Sequence, residues 1–142
     1  MAKRNFNGVQ INQAVTIVVP VGADIADVRN RIMKFDDNGN VVLATAGTDI
    51  PVGISLIEGG RNDISGKESG KVAAGDDVDI QVKDIGVVLA GATIKKGQEV
   101  TAGANGLAAP AAAGNYVLGY ALNNADANKY VHVQIAKYQK NA

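Results

Sequence analysis

The residues that could do chemistry in this chain are few, and their spacing does not suit a catalytic site. Ser55 lies in the run Gly53–Ile57, which lacks the second glycine that a nucleophile elbow needs for its sharp turn. The single histidine, His132, alternates with valines and is expected on the solvent side of a strand. The chain has no cysteine, which excludes thiol chemistry and cysteine-based metal sites. We therefore expect no catalytic residue, and the chain is predicted not to be an enzyme.

Two loops resemble ion-binding motifs, but each departs from its motif at the residues that matter. In Gly60–Lys67, five residues separate the two glycines where a phosphate loop has four, and Glu68 stands where magnesium needs a serine or threonine. Asp36–Asn40 resembles part of a calcium loop, yet with Gly39 at its sixth position the first ligand would be Lys34. A hairpin turn explains that run better. We predict no metal ligand and no cofactor-binding residue.

One segment resembles a modified carrier domain. Gly91–Val100 follows the glycine and valine rhythm of lipoyl and biotinyl carriers, and Met33-Lys34 is similar to their modified Met-Lys pair. The order is wrong, because the carrier lysine belongs on a hairpin after the Gly-Gln segment, where this chain has Asn105–Ala108. We expect Lys34 to be an ordinary strand lysine. A carrier domain stays open as an alternative, as does a sugar- or cell-surface-binding β-module, which the 4% aromatic content disfavours.

Length and charge limit the remaining classes. A chain of 142 residues fits one domain that buries its own core. Its 14 basic and 14 acidic residues balance, so no overall field would attract nucleic acid or an anionic membrane. The longest apolar stretches are far shorter than the roughly 20 residues of a membrane span. Asn5–Gly8 stands where a signal peptide would need its apolar core. No nucleic-acid partner and no membrane partner is expected.

Apolar and polar residues alternate through most of the chain, which predicts β-strands with one buried face. In one strand, Val78, Ile80 and Val82 alternate with Asp77, Asp79, Gln81 and Lys83, which we expect to face solvent. No stretch sustains a helical period. The predicted strands cover 15–19, 31–35, 41–44, 50–57, 78–82, 85–90, 116–122 and 131–135. Many short strands separated by turns predict an all-β fold, a small barrel or sandwich.

The chain contains an internal pseudo-repeat. Four motifs recur in the same order: Gly22–Ile25 with Gly91–Ile94, Asn38-Gly39 with Asn105-Gly106, Val52–Leu56 with Leu118–Leu122, and Val78–Val82 with Val131–Ile135. The two Asn-Gly pairs predict hairpins with type I′ turns, in which both residues have positive φ. We predict a single domain over residues 15–142, built from β-units at about 15–83 and 85–138 that each supply half of one core. The glycine-rich stretch 58–75 is predicted to be an exposed loop.

Two glycines lie inside equivalent strand motifs of this repeat. Gly53 and Gly119 each follow an apolar residue of their strand and precede another. A glycine in such a position usually marks a bulge, a bend or a close approach of another backbone. We expect one of these features at both sites.

The order of these motifs over roughly residues 15–137 resembles the capsid-decoration (head-stabilising, cement) proteins of tailed bacteriophages, which are related in fold to the lambda head decoration protein. The resemblance implies a small barrel or β-tulip-like fold and a homotrimer. It also implies binding to the outer surface of the shell of major capsid protein, which stabilises the head. The protein would be made in the host bacterial cytoplasm and would end on the outside of the virion.

In proteins of that family, the N-terminal segment is loose in solution and becomes ordered on the capsid. The resemblance therefore implies that residues 1–14 are a flexible, extended arm that adds a strand to a capsid sheet and pairs charges with it. A frayed terminus without function is the alternative. The residues expected to bind the capsid are Lys3, Arg4, Asn5, Phe6, Val9 and Ile11.

Overall fold

Ten short strands make up most of the regular structure of residues 15–142, which are the residues that the computed structural model describes. They are β1 (Thr16–Pro20), β2 (Ile32–Phe35), β3 (Val41–Leu43), β4 (Gly53–Ser55), β5 (Asp77–Gln81), β6 (Ile85–Leu89), β7 (Glu99–Ala102), β8 (Ala108–Pro110), β9 (Tyr116–Ala121) and β10 (Tyr130–Gln139). A short 3₁₀ turn at Ala104–Gly106 is the one helical element within this part of the chain. The predicted all-β fold class is confirmed. The predicted arm, residues 1–14, lies outside the described residues.

The strands form two five-stranded antiparallel sheets with the same topology. The first has the order β1-β5-β4-β2-β3, and the second has the order β6-β10-β9-β7-β8. Adding five to each label of the first sheet gives the second. We call β1–β5 with its connections the first unit and β6–β10 the second unit. The repeat that the motifs predicted is therefore a repeat of strand order.

Each sheet curls until its edge strands meet. In the first unit, an isolated parallel bridge joins Val21 to Val41, and the N–H of Gly22 donates to the carbonyl oxygen of Val41 at 2.9 Å. In the second unit, Ala90 is bridged to Ala108 in the same way. Strongly curled sheets leave short edges, which limits open-ended pairing with other chains. Each unit is thus a small, nearly closed barrel, in agreement with the predicted barrel.

The strand register makes the units comparable residue by residue. Met33 pairs with Gly53, and Val100 pairs with Gly119. A Cβ added at Gly53 would overlap the carbonyl oxygen of Gln81, and one added at Gly119 would overlap that of Gln134. Both glycines therefore permit a close approach of the neighbouring backbone, as we predicted.

Each barrel has its own buried cluster, so the prediction of one shared core is wrong. Val21, Met33 and Ile80 belong to the cluster of the first unit. The cluster of the second unit includes Leu118 and Val133. Because each sheet curls on itself, each encloses a separate interior. The link between them is a set of first-unit side chains that join the second cluster: Ile32, Ala44 and Ile54.

One of the two hairpin turns differs from the predicted type. Both Asn-Gly pairs lie in hairpins, β2–β3 and β7–β8, and Asn105 and Gly106 both have positive φ. In the first hairpin, Gly39 has positive φ but Asn38 does not. There the carboxylate of Asp36 accepts the N–H groups of Asn38 and Asn40, both at 2.9 Å. A side chain that stabilises a four-residue turn replaces the type I′ geometry.

Details of the strand prediction also change. Asp77 and Asp79 face solvent as predicted, but Gln81 is 5% exposed rather than solvent-facing. Its side-chain amide donates to the carbonyls of Lys83 and Ile85, each at 2.8 Å, where the chain passes between units. The predicted strand at 50–57 is reduced to β4. Strands β7 and β8 were not predicted: β7 has only four residues, and the alanines and proline of β8 carry little β propensity.

Candidate protein-docking surfaces

The residues predicted to bind the capsid lie outside the described part of the chain. Lys3, Arg4, Asn5, Phe6, Val9 and Ile11 all precede residue 15, where the described structure begins. Their role remains a prediction. The candidate surfaces described below therefore belong to the two barrels.

The residues considered for catalysis are held in structural roles. Ser55 is fully buried, and its hydroxyl donates to the carbonyl oxygen of Val28 and accepts the N–H of Arg31 at 3.0 Å. His132 is exposed on β10, as predicted, beside the side-chain oxygen of Asn123. Within residues 15–142, no three His, Asp or Glu side chains lie together as a metal site would require. The same residues contain no helix long and apolar enough to cross a membrane.

The first candidate surface is a cleft that lies mainly on the first unit, with Lys137 of β10 at its edge, and we call it the Phe35 groove. Its volume is about 510 Å³. Two apolar side chains are exposed in this groove: Phe35 is 51% exposed and Ile50 is 64% exposed. Apolar side chains grouped in this way mark protein-binding sites more often than isolated ones do. The groove is lined by Lys34, Phe35, Thr48, Asp49, Ile50, Pro51, Val52 and Lys137.

An ion pair stabilises one wall of the Phe35 groove. The ammonium group of Lys34 lies 2.8 Å from the carboxylate of Asp49, which also accepts the N–H and the hydroxyl of Thr45. Partial burial alone would raise the pKa of Asp49, but the hydrogen bonds from Lys34 and Thr45 outweigh burial and lower it to about 2. Lys34 is thus a paired residue within β2, as expected of an ordinary strand lysine.

The second candidate surface lies on the second unit, and we call it the Tyr120 face. It consists of Glu99, Tyr120, Tyr138 and Lys140. The Tyr120 ring is 41% exposed, and its centroid lies 6.1 Å from that of Tyr138. The Tyr138 hydroxyl donates to one carboxylate oxygen of Glu99, and the other oxygen lies 2.9 Å from the ammonium of Lys140. Aromatic rings with a satisfied polar rim are typical of protein interfaces.

The polar contacts of the Tyr120 face keep Glu99 ionised. The hydrogen bond from Tyr138 and then the contact with Lys140 lower the pKa of Glu99. The same carboxylate raises the pKa of Tyr138, so this phenol stays protonated and remains a donor. The Tyr138 ring is therefore held at Glu99, beside the ring of Tyr120.

The stretch 58–75 carries a third exposed feature. Ile64 lies in this stretch and is fully exposed. The stretch contacts the first barrel where Val72 forms a β-bridge with Ile25. Glu68 accepts hydrogen bonds from Arg61 at 3.1 Å and from Lys71 at 2.9 Å. A lone apolar residue on a polar loop needs no special explanation. Ile64 is therefore a suitable control position for the two candidate surfaces.

Comparison with known proteins identifies the fold. No protein-family model matches the chain, and no curated protein matches it. Among solved structures, the chain is similar to the N-terminal base of the head fibre protein gp8.5 of bacteriophage phi29, with a TM-score of 0.62 and 22% sequence identity. The match covers 92% of this chain and 100% of that one. This likeness shows that the two proteins share a fold.

Neither docking surface was found from the sequence. Phe35 and Ile50 lie in segments that were predicted as ordinary strands. The alternation of apolar and polar residues gave no reason to expect these two side chains to be exposed. The signal that could have found them is the repeat itself. Ala102 is the counterpart of Phe35, since the pairs Phe35–Val41 and Ala102–Ala108 correspond. A large aromatic residue aligned with a buried alanine indicates a different environment.

Proposed function

We propose that this protein is a non-enzymatic structural protein of a tailed-bacteriophage virion. It binds the outer surface of the major capsid protein shell and stabilises the head, as a self-associated trimer. The observation that carries the proposal is the fold shared with a phage head fibre base over that chain's whole length. The motif order that resembles capsid-decoration proteins supports it independently. The fold alone does not define a function, so the surfaces have to support one as well.

The described surfaces suit binding to proteins. The Phe35 groove and the Tyr120 face expose apolar and aromatic side chains next to charged groups that are already paired. Such a composition matches the anchors and polar rims of protein interfaces. Ser55, the serine most similar to a catalytic nucleophile, is buried in the first unit. The one histidine, His132, is exposed on the second unit. These features favour a structural role over a catalytic one.

The arm remains part of the proposal. Val15 is exposed and leads directly into β1, an edge strand of the first sheet. An extended segment can bind a partner by adding a strand to its sheet. We infer that Phe6, Val9 and Ile11 supply apolar contacts and that Lys3 and Arg4 pair with acidic groups on the capsid.

The direct test is a binding assay with undecorated, expanded capsids of the phage that encodes this protein. Full-length protein should bind them to saturation at a fixed ratio to the major capsid protein, measured by co-sedimentation. Several weak contacts per trimer would add up to stable binding. Absence of binding at near-physiological salt would overturn the proposal.

A variant without residues 2–12 should fold normally but bind more weakly, and an unchanged affinity would refute the role of the arm.

A further inference from the structure

The two units of the chain are joined by a specific contact that has a direction. Among residues 15–142, three backbone hydrogen bonds cross it. Gly106 N–H donates to the Ala44 carbonyl at 2.7 Å, Tyr116 N–H to the Gly47 carbonyl at 2.8 Å, and Leu89 N–H to the Asn30 carbonyl at 3.0 Å. One surface of the first unit therefore packs against a different surface of the second. Such a contact is heterologous, and in separate molecules it would be described as head-to-tail.

Apolar side chains of the first unit extend into the buried cluster of the second unit at this contact. Ile32, Ala44 and Ile54 are each buried to 1% exposure or less, and they belong to the buried cluster of the second unit. The register gives their counterparts in the second unit. The pair Ile32–Ile54 corresponds to the pair Glu99–Tyr120. Glu99 and Tyr120 of the Tyr120 face therefore occupy the second unit's copy of the surface by which the first unit binds its neighbour.

The receiving surface of the contact has a copy as well. On the second unit it includes Gly106 and Tyr116, next to Ala102 in the buried cluster. Their counterparts on the first unit are Gly39 in the equivalent hairpin, Ile50 three residues before the strand glycine, and Phe35. Gly39 is exposed, and Phe35 and Ile50 are the open apolar side chains of the Phe35 groove.

A third position extends the correspondence along the edge strand. On β6, the carbonyl of Val87 accepts the side-chain amide of Asn30 at 3.0 Å. The counterpart of Val87 is Val18 on β1, because Val18 pairs with Asp79 and Val87 with the equivalent His132. Val18 is 62% exposed. Val18 and Ile50 thus stand at the counterparts of positions where the second unit contacts the first. Phe35 stands at the counterpart of Ala102, which lies in the buried cluster that the first-unit side chains join.

From this correspondence we propose that a second copy of this chain binds with its Tyr120 face in the Phe35 groove, repeating the contact between the two units. The inference deepens the proposed function, from which it takes self-association. It names the surfaces and the head-to-tail direction. Contacts of this kind close into rings, of which a trimer is one, or continue as filaments. It also accounts for apolar side chains that would otherwise be left in water.

Two differences between the units distinguish the proposed contact between chains from the one within the chain. Glu99 replaces Ile32, and its charge is already compensated by Tyr138 and Lys140. Pro20 stands where Leu89 donates its N–H, as the pairs Pro20–Asp77 and Leu89–Tyr130 show, so one backbone bond is lost. Interfaces between separately folded chains are generally more polar than interfaces within an obligate core. The differences agree with association between folded chains.

Complementation between two variants tests the direction of the contact. Phe35→Asp places a charge in the Phe35 groove and leaves the Tyr120 face intact. Tyr120→Asp places a charge on the Tyr120 face and leaves the Phe35 groove intact. Each variant alone should sediment as a monomer under conditions in which the wild-type protein is an oligomer. Mixed in equal amounts, they should form a heterodimer and nothing larger, because only one intact pair of surfaces remains. The double variant should stay monomeric in every mixture.

Controls keep the test independent of folding and of capsid binding. Ile64→Asp changes a fully exposed apolar residue outside both surfaces and should leave the oligomer unchanged, and Ile50→Asp should behave like Phe35→Asp. Circular dichroism checks that each variant is folded. A monomeric wild-type protein, oligomers of either single variant, or a mixture without heterodimers would each overturn the inference. Because the assay contains no capsid, its failure is separate from failure of the capsid-binding assay.

Discussion

Ile54 and Tyr120 occupy the same position in the two units, yet Ile54 is 1% exposed and Tyr120 is 41% exposed. Each lies directly after the strand glycine and pairs with an equivalent glutamine, Gln81 or Gln134. The backbone is thus the same at both positions, and only the neighbour differs. The second unit covers Ile54, whereas nothing in the described chain covers Tyr120 to the same degree. This difference is the basis of the first prediction.

Truncation of the two side chains should have unequal effects on stability. Ile54→Ala should lower the free energy of unfolding by about 2–4 kcal/mol, since it opens a cavity in a packed cluster. Tyr120→Ala should cost no more than about 1 kcal/mol in the monomer, because the ring is already partly in water. Urea unfolding of both variants measures the difference. Equal losses would show that the Tyr120 face is as structural as its counterpart.

The strand glycines give a second stability prediction. Gly119→Ala places a methyl group against the backbone carbonyl of Gln134, which cannot rotate away as a side chain could. We expect a loss of about 2–4 kcal/mol, and the same for Gly53→Ala against Gln81. Gly103→Ala is the matched control, because its new Cβ would meet its nearest atom at 3.4 Å, in ordinary contact. It should be neutral within about 0.5 kcal/mol, and a similar loss at all three positions would contradict the close-approach argument.

The repeat could be predicted from the sequence because it depends on local patterns. Gly53 and Gly119 in their strands and the two Asn-Gly hairpins were aligned correctly, since alternation and turn residues are properties of short segments. The docking surfaces depend on which face of one barrel meets the other. Val18 has the same pattern as its counterpart Val87, and only the tertiary arrangement leaves it open. Such differences are not encoded within a strand.

Two further features escaped prediction for related reasons. The buried position of Gln81 results from the passage between the units, where its amide bonds two carbonyls. The alternation of apolar and polar residues in this strand had predicted that the Gln81 side chain faces solvent. The contact of Glu99 with Tyr138 joins residues 39 positions apart in sequence, and neither is unusual in its own segment. Long-range contacts of this kind follow from the topology rather than from composition.

The ion pair in the Phe35 groove predicts a pH dependence of stability. The pKa of Asp49 is lowered from 3.8 to about 2, so the folded protein keeps this carboxylate ionised after the unfolded chain has taken up a proton. Its contribution is complete above the unfolded pKa and is lost as the pH falls from about 4 to about 2. After allowance for solvent screening, we expect a contribution of about 1 kcal/mol.

The variant Asp49→Asn isolates that contribution. Its unfolding free energy should be lower than that of the wild-type protein at pH 6 by at least the ion-pair contribution, and the gap should narrow as the pH approaches 2. Other carboxylates titrate in the same range, so the measurement is the difference between the two pH profiles, obtained by urea unfolding. A gap that stays constant from pH 6 to pH 2 would show that the ionised form of Asp49 contributes nothing.

Asn30 supplies the last prediction, because it joins the two units with a strained backbone. It has φ of 54°, its side-chain amide donates to the Val87 carbonyl at 3.0 Å, and its carbonyl accepts the N–H of Leu89. Asn30→Ala removes the side-chain bond and places alanine in a left-handed conformation, which asparagine tolerates better. Asn30→Gly removes the same bond without that conformational penalty, although glycine also adds freedom to the unfolded chain. We expect losses of about 2 kcal/mol for alanine and about 1 kcal/mol for glycine in urea unfolding. Equal losses would mean that the left-handed backbone carries no cost at this junction, and a larger loss for glycine would reverse the assignment.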